Sequence, residues 1–113
     1  MPLPETVPPR ITATLAGHSF RDRDAKLAFQ AEGSEGMPLA LVRDHANKFD
    51  MFAVKVIADL PSYPDTWIGF LDRASAELVG QFMDRGVTFS CVLSEWHGHN
   101  RHTLEITPNG DIP

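Results

Sequence analysis

The stretch Leu39-Ala-Leu-Val-Arg-Asp-His-Ala-Asn-Lys-Phe-Asp-Met-Phe-Ala-Val-Lys-Val-Ile57 joins two apolar arms through a polar segment. On the return side, Phe52, Val54 and Val56 alternate with the residues between them at a period of two, which is typical of a strand. The apolar arm before the polar segment predicts a second strand. The sequence therefore predicts a hairpin with strands at residues 37–42 and 52–57.

The polar segment of this hairpin carries a large aromatic residue, Phe49, directly before a carboxylate, Asp50. Asp and Asn are common in turns because their side chains bond nearby backbone N–H groups. A tight turn rarely needs a large aromatic residue at its tip. The ordinary interpretation is that Phe49 packs into the core and Asp50 caps the turn. The alternative is that both residues belong to a binding site.

The rest of the chain predicts four more strands and one helix. The strands are expected at residues 10–16, 66–71, 87–96 and 102–107. Asp72 is placed to cap a helix that begins at Arg73 and stops at Gly86. One face of this helix gathers apolar residues at helical spacing, namely Ala74, Leu78, Val79, Phe82 and Met83.

No second helix is predicted. Residues 21–24 are interpreted as a solvated surface run and residues 30–36 as a loop, because they combine charges with glycines. Six short strands and one helix predict a mainly β domain of the α+β class, built as a strongly bent six-stranded sheet or a partly open barrel. The expected domain covers residues 10–107, between a flexible proline-rich arm (1–9) and a flexible tail (108–113).

Composition limits the function classes. The chain has 113 residues, one cysteine and a net charge of −5. The lone Cys91 favours a reducing, cytoplasmic location, and no apolar run approaches the ~20 residues that a membrane helix needs. The negative charge argues against broad binding of duplex DNA, which depends on many phosphate contacts, but a small local site remains compatible with it.

Two motifs together resemble the HIRAN domain: Val42-Arg-Asp-x-x-Asn-x-Phe-Asp-x-x-Ala-Val54, and Trp67-Ile-Gly-Phe-Leu71 before the predicted helix. HIRAN domains occur at the N-terminus of SWI2/SNF2-type ATPases and as stand-alone bacterial or phage proteins. The resemblance implies an OB-like fold and a single-stranded DNA binding module for free 3′-hydroxyl ends, in DNA repair or replication-fork processing. The positions it marks for DNA binding are Phe20, Arg43, Asn47, Phe49, Asp50 and Phe70.

Within that resemblance, Phe20 and Phe49 stack on terminal bases and Asp50 accepts a hydrogen bond from the 3′-hydroxyl. Arg43 and Asp44 match the family as well, but a strand-end pair of this kind can also brace the loop. The sequence departs from the family at Ser19, where an Arg is expected. The implied partners are DNA 3′ ends and a helicase-type ATPase or a nuclease. A protein-interaction module of the same fold that has lost DNA binding is the alternative.

The sequence gives little indication of metal binding or catalysis. His97, His99 and His102 lie within six residues and form a candidate metal site, but no second ligand cluster lies nearby in sequence. Asp44 and Asp50 are too few carboxylates for a metal-dependent nuclease. No nucleophile elbow or phosphate-binding glycine loop is present. We therefore expect no enzyme activity, no cofactor, no small-molecule substrate and no membrane partner.

Overall fold

The computed structural model describes residues 6–16, 23–96 and 102–109. The elements follow the order β1 (Ile11–Ala16), α1 (Arg23–Glu32), β2 (Pro38–Arg43), β3 (Val54–Ala58), β4 (Thr66–Leu71), α2 (Arg73–Asp84), β5 (Phe89–Trp96) and β6 (His102–Pro108). The strands pair antiparallel in the order β1-β4-β3-β2-β5-β6 and close into a barrel. The mainly β, OB-like prediction is confirmed, with a barrel that is closed and not partly open.

Strand alternation builds the core, as the period of two predicts. In β3, Val54, Val56 and Ala58 are buried, whereas Lys55 and Ile57 are half-buried on the other face. Buried and more exposed residues alternate in β1 and β6 in the same way. The two strands pair in a register that sets buried residues opposite each other, such as Ile11 and Ile106. Each large apolar side chain moved from water into this core contributes about 1.5–3 kcal/mol.

Helix α1 corrects the sequence prediction, which places its first two residues in a surface run and its last three in a loop. Residues 30–32 are its last turn, so the loop before β2 is shorter than predicted. The sequence of α1 shows no clear apolar face. Ala28 and Phe29 are buried, whereas the neighbouring large apolar residue Leu27 is 48% exposed. Phe29 anchors the helix to the barrel, since its ring packs edge-on against His102 with the ring centroids 5.5 Å apart.

Helix α2 begins where the sequence predicts. One oxygen of Asp72 accepts a hydrogen bond from the Ser75 backbone N–H (3.1 Å), which caps the helix. The predicted face is partly wrong: Val79 and Phe82 are buried, but Ala74 is exposed, and the buried face includes Ala76 instead. Residues two apart on a helix point about 200° apart, so burial of one exposes the other.

The chain ends are only partly described. Val7, in the predicted arm, is buried, and β6 runs to Pro108, after which the Asn109 N–H donates to the Thr88 carbonyl oxygen (2.9 Å). Where a flexible arm and tail begin stays a prediction. Neither helix in the described part of the chain has the length and apolar character required to cross a membrane.

Candidate functional site

The β2–β3 loop (residues 44–53) is fastened to α2 by a buried arginine. Nε and Nη2 of Arg43 donate to the two carboxylate oxygens of Asp84, at 2.9 and 3.1 Å. Nη1 donates to the carbonyl oxygen of Ala53 (2.7 Å), and Nη2 also donates to that of Met51 (3.0 Å). The Arg43 side chain is 8% exposed. Its guanidinium therefore braces the loop from inside and is poorly placed to meet a phosphate.

The Asp84 carboxylate contacts His45 as well as Arg43. The Nε2 atom of His45 lies 3.2 Å from the same Asp84 oxygen that Arg43 Nε contacts. The hydrogen bond from Arg43 is the main cause that lowers the pKa of Asp84, and His45 adds to it. Asp84 is thus held as a carboxylate between a cation and an imidazole.

The loop also meets α2 at two positions before Asp84. Gly80 lies so close that a Cβ there would stand 2.7 Å from the Phe52 carbonyl oxygen. At the first residue of the helix, Nη2 of Arg73 donates to the carbonyl oxygen of Phe49 (3.2 Å). The three contact points span the 12 residues of α2, about 16 Å at 1.5 Å per residue. The loop therefore lies along the helix.

Inside the loop, polar side chains bond its own backbone. The side-chain oxygen of Asn47 accepts from the N–H groups of Phe49 (2.8 Å) and Asp50 (2.9 Å), an Asx-type turn. Oδ1 of Asp50 then accepts from the Phe52 N–H (2.9 Å). These bonds fix the backbone around Phe49. The predicted turn-capping role of Asp50 is present, and Asn47 shares it.

The side chain that this backbone carries points into solvent. Phe49 is 89% exposed and Met51 is 74% exposed. The interpretation that Phe49 packs into the core is therefore wrong. A large aromatic ring held out by a well-bonded loop is unusual, because burial of such a ring would be favourable by about 1.5–3 kcal/mol.

A second aromatic group lies on the outer wall of the barrel beside this loop. Phe70 pairs in register with Lys55, the second residue of β3 after the loop. Its ring lies edge-on to that of Trp67, with the centroids 5.2 Å apart, and both side chains are half-buried. The loop and this strand face thus adjoin at the start of β3.

Comparisons with known proteins identify the architecture. No family model matches the sequence, and no curated protein matches it. The crystal structure of the HIRAN domain of human HLTF is 18% identical, with a TM-score of 0.60 over 88% of this chain and 74% of that chain. A crystal structure of a protein from Lactobacillus plantarum is also 18% identical, with a TM-score of 0.69 over 86% of this chain and 89% of that chain. The chain has the HIRAN fold.

The HIRAN fold brings most of the sequence-predicted residues to one region. Asn47, Phe49 and Asp50 lie in the β2–β3 loop, with Arg43 at its base. Phe70 lies on the neighbouring strand face. Of these, Phe49 is the one most fully presented to solvent, whereas Arg43 and the Asn47 oxygen are engaged with the protein itself.

The remaining predicted residues lie elsewhere or outside the described residues. Phe20, Ser19, His97 and His99 are outside them. His102 is described, and it is buried at 2% exposure against Phe29 in the HIRAN barrel. The described ranges contain no group of three His, Cys, Asp or Glu residues placed to hold a metal ion.

The cysteine in the HIRAN barrel is a small buried thiol. Cys91 is buried in the core, and this burial raises the pKa of its thiol to about 12. A thiol with such a pKa stays protonated near neutral pH, and a protonated thiol is a poor nucleophile.

Sequence reasoning missed the α2 residues that hold the loop: Arg73, Gly80 and Asp84. Arg73 and Asp84 give no local signal, because an exposed charge on a helix is ordinary. Gly80 does give one. A glycine inside a helix costs about 1 kcal/mol relative to alanine, so its presence indicates a close approach by another part of the chain.

Proposed function

We propose that this protein is a nucleic-acid-binding module that takes single-stranded DNA by a free 3′-hydroxyl end. The observation that carries the proposal is the exposure of Phe49, at 89%, on a loop fastened along α2. Aromatic rings held in this way are the stacking platforms of single-strand binding proteins, where each stacked base contributes about 1–3 kcal/mol. The resemblance to HIRAN domains points to the same ligand.

Asp50 supplies the end recognition in this proposal. Oδ1 is used by the Phe52 N–H, and among the described residues no hydrogen bond to Oδ2 is found. A carboxylate oxygen accepts the proton of a 3′-hydroxyl. The same charge repels a terminal phosphate. One group therefore favours a free end and disfavours a blocked one.

Charge plays a smaller part. Two exposed cations lie at Phe49: Lys48 precedes it in the sequence, and Arg73 donates to its carbonyl oxygen. The chain as a whole carries a net charge of −5. Neutralising two or three phosphates gives a log–log salt slope of about −1.4 to −2 on single strands. We therefore expect weak binding with a shallow salt dependence, carried mainly by stacking.

A second candidate function uses the same loop. Met51 and Phe49 are both exposed, and Phe and Met are enriched in protein–protein interfaces. In this alternative the module docks on a protein, such as a helicase-type ATPase or a nuclease, and has lost DNA binding. DNA binding in low salt separates the two candidates.

The test is fluorescence anisotropy in low salt with two matched oligonucleotides, one ending in a 3′-hydroxyl and one in a 3′-phosphate. The proposal expects the hydroxyl end to bind more tightly. Equal affinity for the two ends would remove the end-recognition role of Asp50 and leave general single-strand binding. No binding to either oligonucleotide would favour the protein-interaction module.

A further inference from the structure

A bulge in β4 places two aromatic side chains on the same outer face of the barrel. Val56 pairs with Gly69, but the next residue of β3, Ile57, pairs with Trp67, so Ile68 is an extra residue. Residues three apart in a regular strand face opposite sides. Because of the bulge, Ile68 and Gly69 are both buried, while Trp67 and Phe70 both face outward.

A cation completes this group. Nζ of Lys55 lies 4.6 Å from the centroid of the Trp67 ring. The indole N–H of Trp67 donates to the Gly69 carbonyl oxygen (2.8 Å), so its hydrogen-bonding capacity is met within the strand. What the indole offers to solvent is therefore its apolar ring. We call Lys55, Trp67 and Phe70 the β3–β4 patch.

The patch begins where the β2–β3 loop ends. Lys55 and Phe70 face each other one residue after the start of β3, and Ile57 and Trp67 form a pair two residues further along β3. Two residues of a strand span about 7 Å. A DNA strand whose 3′ end lies at Phe49 would therefore reach Phe70 first and Trp67 next as it runs along the outside of β3.

We infer that the β3–β4 patch binds the nucleotides on the 5′ side of the end held by the loop. This inference rests on the proposed function. Trp67 stacks on an upstream base, and the ammonium group of Lys55 moves from the ring face to the neighbouring phosphate. The ligand class is thus a single strand several nucleotides long, longer than the terminal nucleotides alone.

The first experiment compares 3′-hydroxyl oligonucleotides of two and six nucleotides. In the unchanged protein the six-nucleotide ligand binds more tightly than the dinucleotide. Trp67→Leu should weaken binding of the six-nucleotide ligand by roughly 5- to 150-fold, the range for one stacked base, and leave binding of the dinucleotide unchanged. Lys55→Gln lowers the magnitude of the salt slope by about 0.7 for the longer ligand only. Lys26→Gln, a matched change on the exposed face of α1, leaves the slope unchanged.

The second experiment leaves Trp67 intact. The chain has two tryptophans, so Trp96→Phe makes Trp67 the sole indole fluorophore. We expect the six-nucleotide ligand to quench this fluorescence at saturation and the dinucleotide to leave it unchanged. Two results overturn the inference while the end-binding function stands: the bound six-nucleotide ligand does not quench the fluorescence, or Trp67→Leu keeps the whole difference in affinity between the six-nucleotide ligand and the dinucleotide. Failure of both ligands to bind the unchanged protein overturns both.

Discussion

Arg43 and Asp84 lie 41 residues apart in the sequence, yet their side chains meet in a two-point ion pair with distances of 2.9 and 3.1 Å. The pair joins the end of β2 to the end of α2. Because the same guanidinium also bonds two carbonyl oxygens of the β2–β3 loop, it connects the barrel, the helix and the loop. The loop that carries Phe49 is therefore held at its Met51 and Ala53 carbonyls by Arg43.

Replacing Arg43 with Lys should destabilise the protein and loosen the loop. A lysine carries one ammonium group and cannot reproduce the forked set of four bonds. Loss of even one charged hydrogen bond costs about 1.5–3 kcal/mol, measured as the free energy of unfolding by denaturant titration. Arg10→Gln is the control, because the Arg10 side chain is 75% exposed where it pairs with Glu105 and its loss should change stability by about 1 kcal/mol or less. Equal effects of the two changes would contradict the bracing role.

The same ion pair predicts a dependence of stability on acid. The pKa of Asp84 is lowered in the folded protein from its ordinary value of 3.8, chiefly by the hydrogen bond from Arg43. A lowered folded pKa stabilises the protein above the unfolded value, and this contribution is lost as the pH falls through the folded pKa. The difference in unfolding free energy between the unchanged protein and Asp84→Asn should therefore be present at pH 6 and shrink below about pH 4. A difference that stays constant down to pH 2 would show that the charge of Asp84 does not matter.

Phe49→Ala should separate binding from stability. The ring is exposed, so its removal should change the free energy of unfolding by no more than about 0.5 kcal/mol. If the ring stacks on a terminal base, the affinity for single-stranded DNA should fall by about 1–3 kcal/mol in an anisotropy titration. Met51→Ala is the matched exposed control and should retain affinity. A folded Phe49→Ala protein with full affinity would exclude stacking.

Asp50→Asn tests the carboxylate without changing its size. Asparagine keeps an oxygen to accept from the Phe52 N–H, so the loop should keep its shape. Binding of 3′-hydroxyl DNA should weaken by about 1.5–3 kcal/mol, the range for hydrogen bonds to charged groups. Binding of 3′-phosphate DNA should weaken much less or improve. Parallel losses for the two ligands would assign Asp50 a purely structural role.

Gly80→Ala should reverse the usual effect of this substitution. Alanine in a helix is ordinarily more stable than glycine by about 0.5–1 kcal/mol. Here the new Cβ would lie 2.7 Å from the Phe52 carbonyl oxygen, so the loop must move away from α2. We expect lower stability and weaker DNA binding. Ala74→Gly, on the exposed side of the first turn of the same helix, should cost no more than about 1 kcal/mol of stability and leave DNA binding intact.

Local patterns predict the parts of this fold that depend on local chemistry. The alternation around Val54 and Val56 and the cap at Asp72 are such features, and both are confirmed. Helix α1 was missed because its buried residues Ala28 and Phe29 are neighbours in the sequence and therefore give no clear helical period. For Phe49 the sequence left burial in the core and a place in a binding site both open, and the structure excludes burial. Aromatic residues are usually buried, and the contacts that hold this one out come from a helix more than twenty residues away in sequence.

The fastening of the loop along α2 also limits how this surface can change during evolution. Surface loops usually accept insertions, because an extra residue can bulge into solvent without disturbing the scaffold. Here Phe49 and Phe52 contact α2 at separate positions. One residue inserted between them would displace one contact by up to about 3.5 Å relative to the other. The length of this loop is therefore as constrained as the register of a strand, and variation is better tolerated in the type of side chain it carries than in the number of its residues.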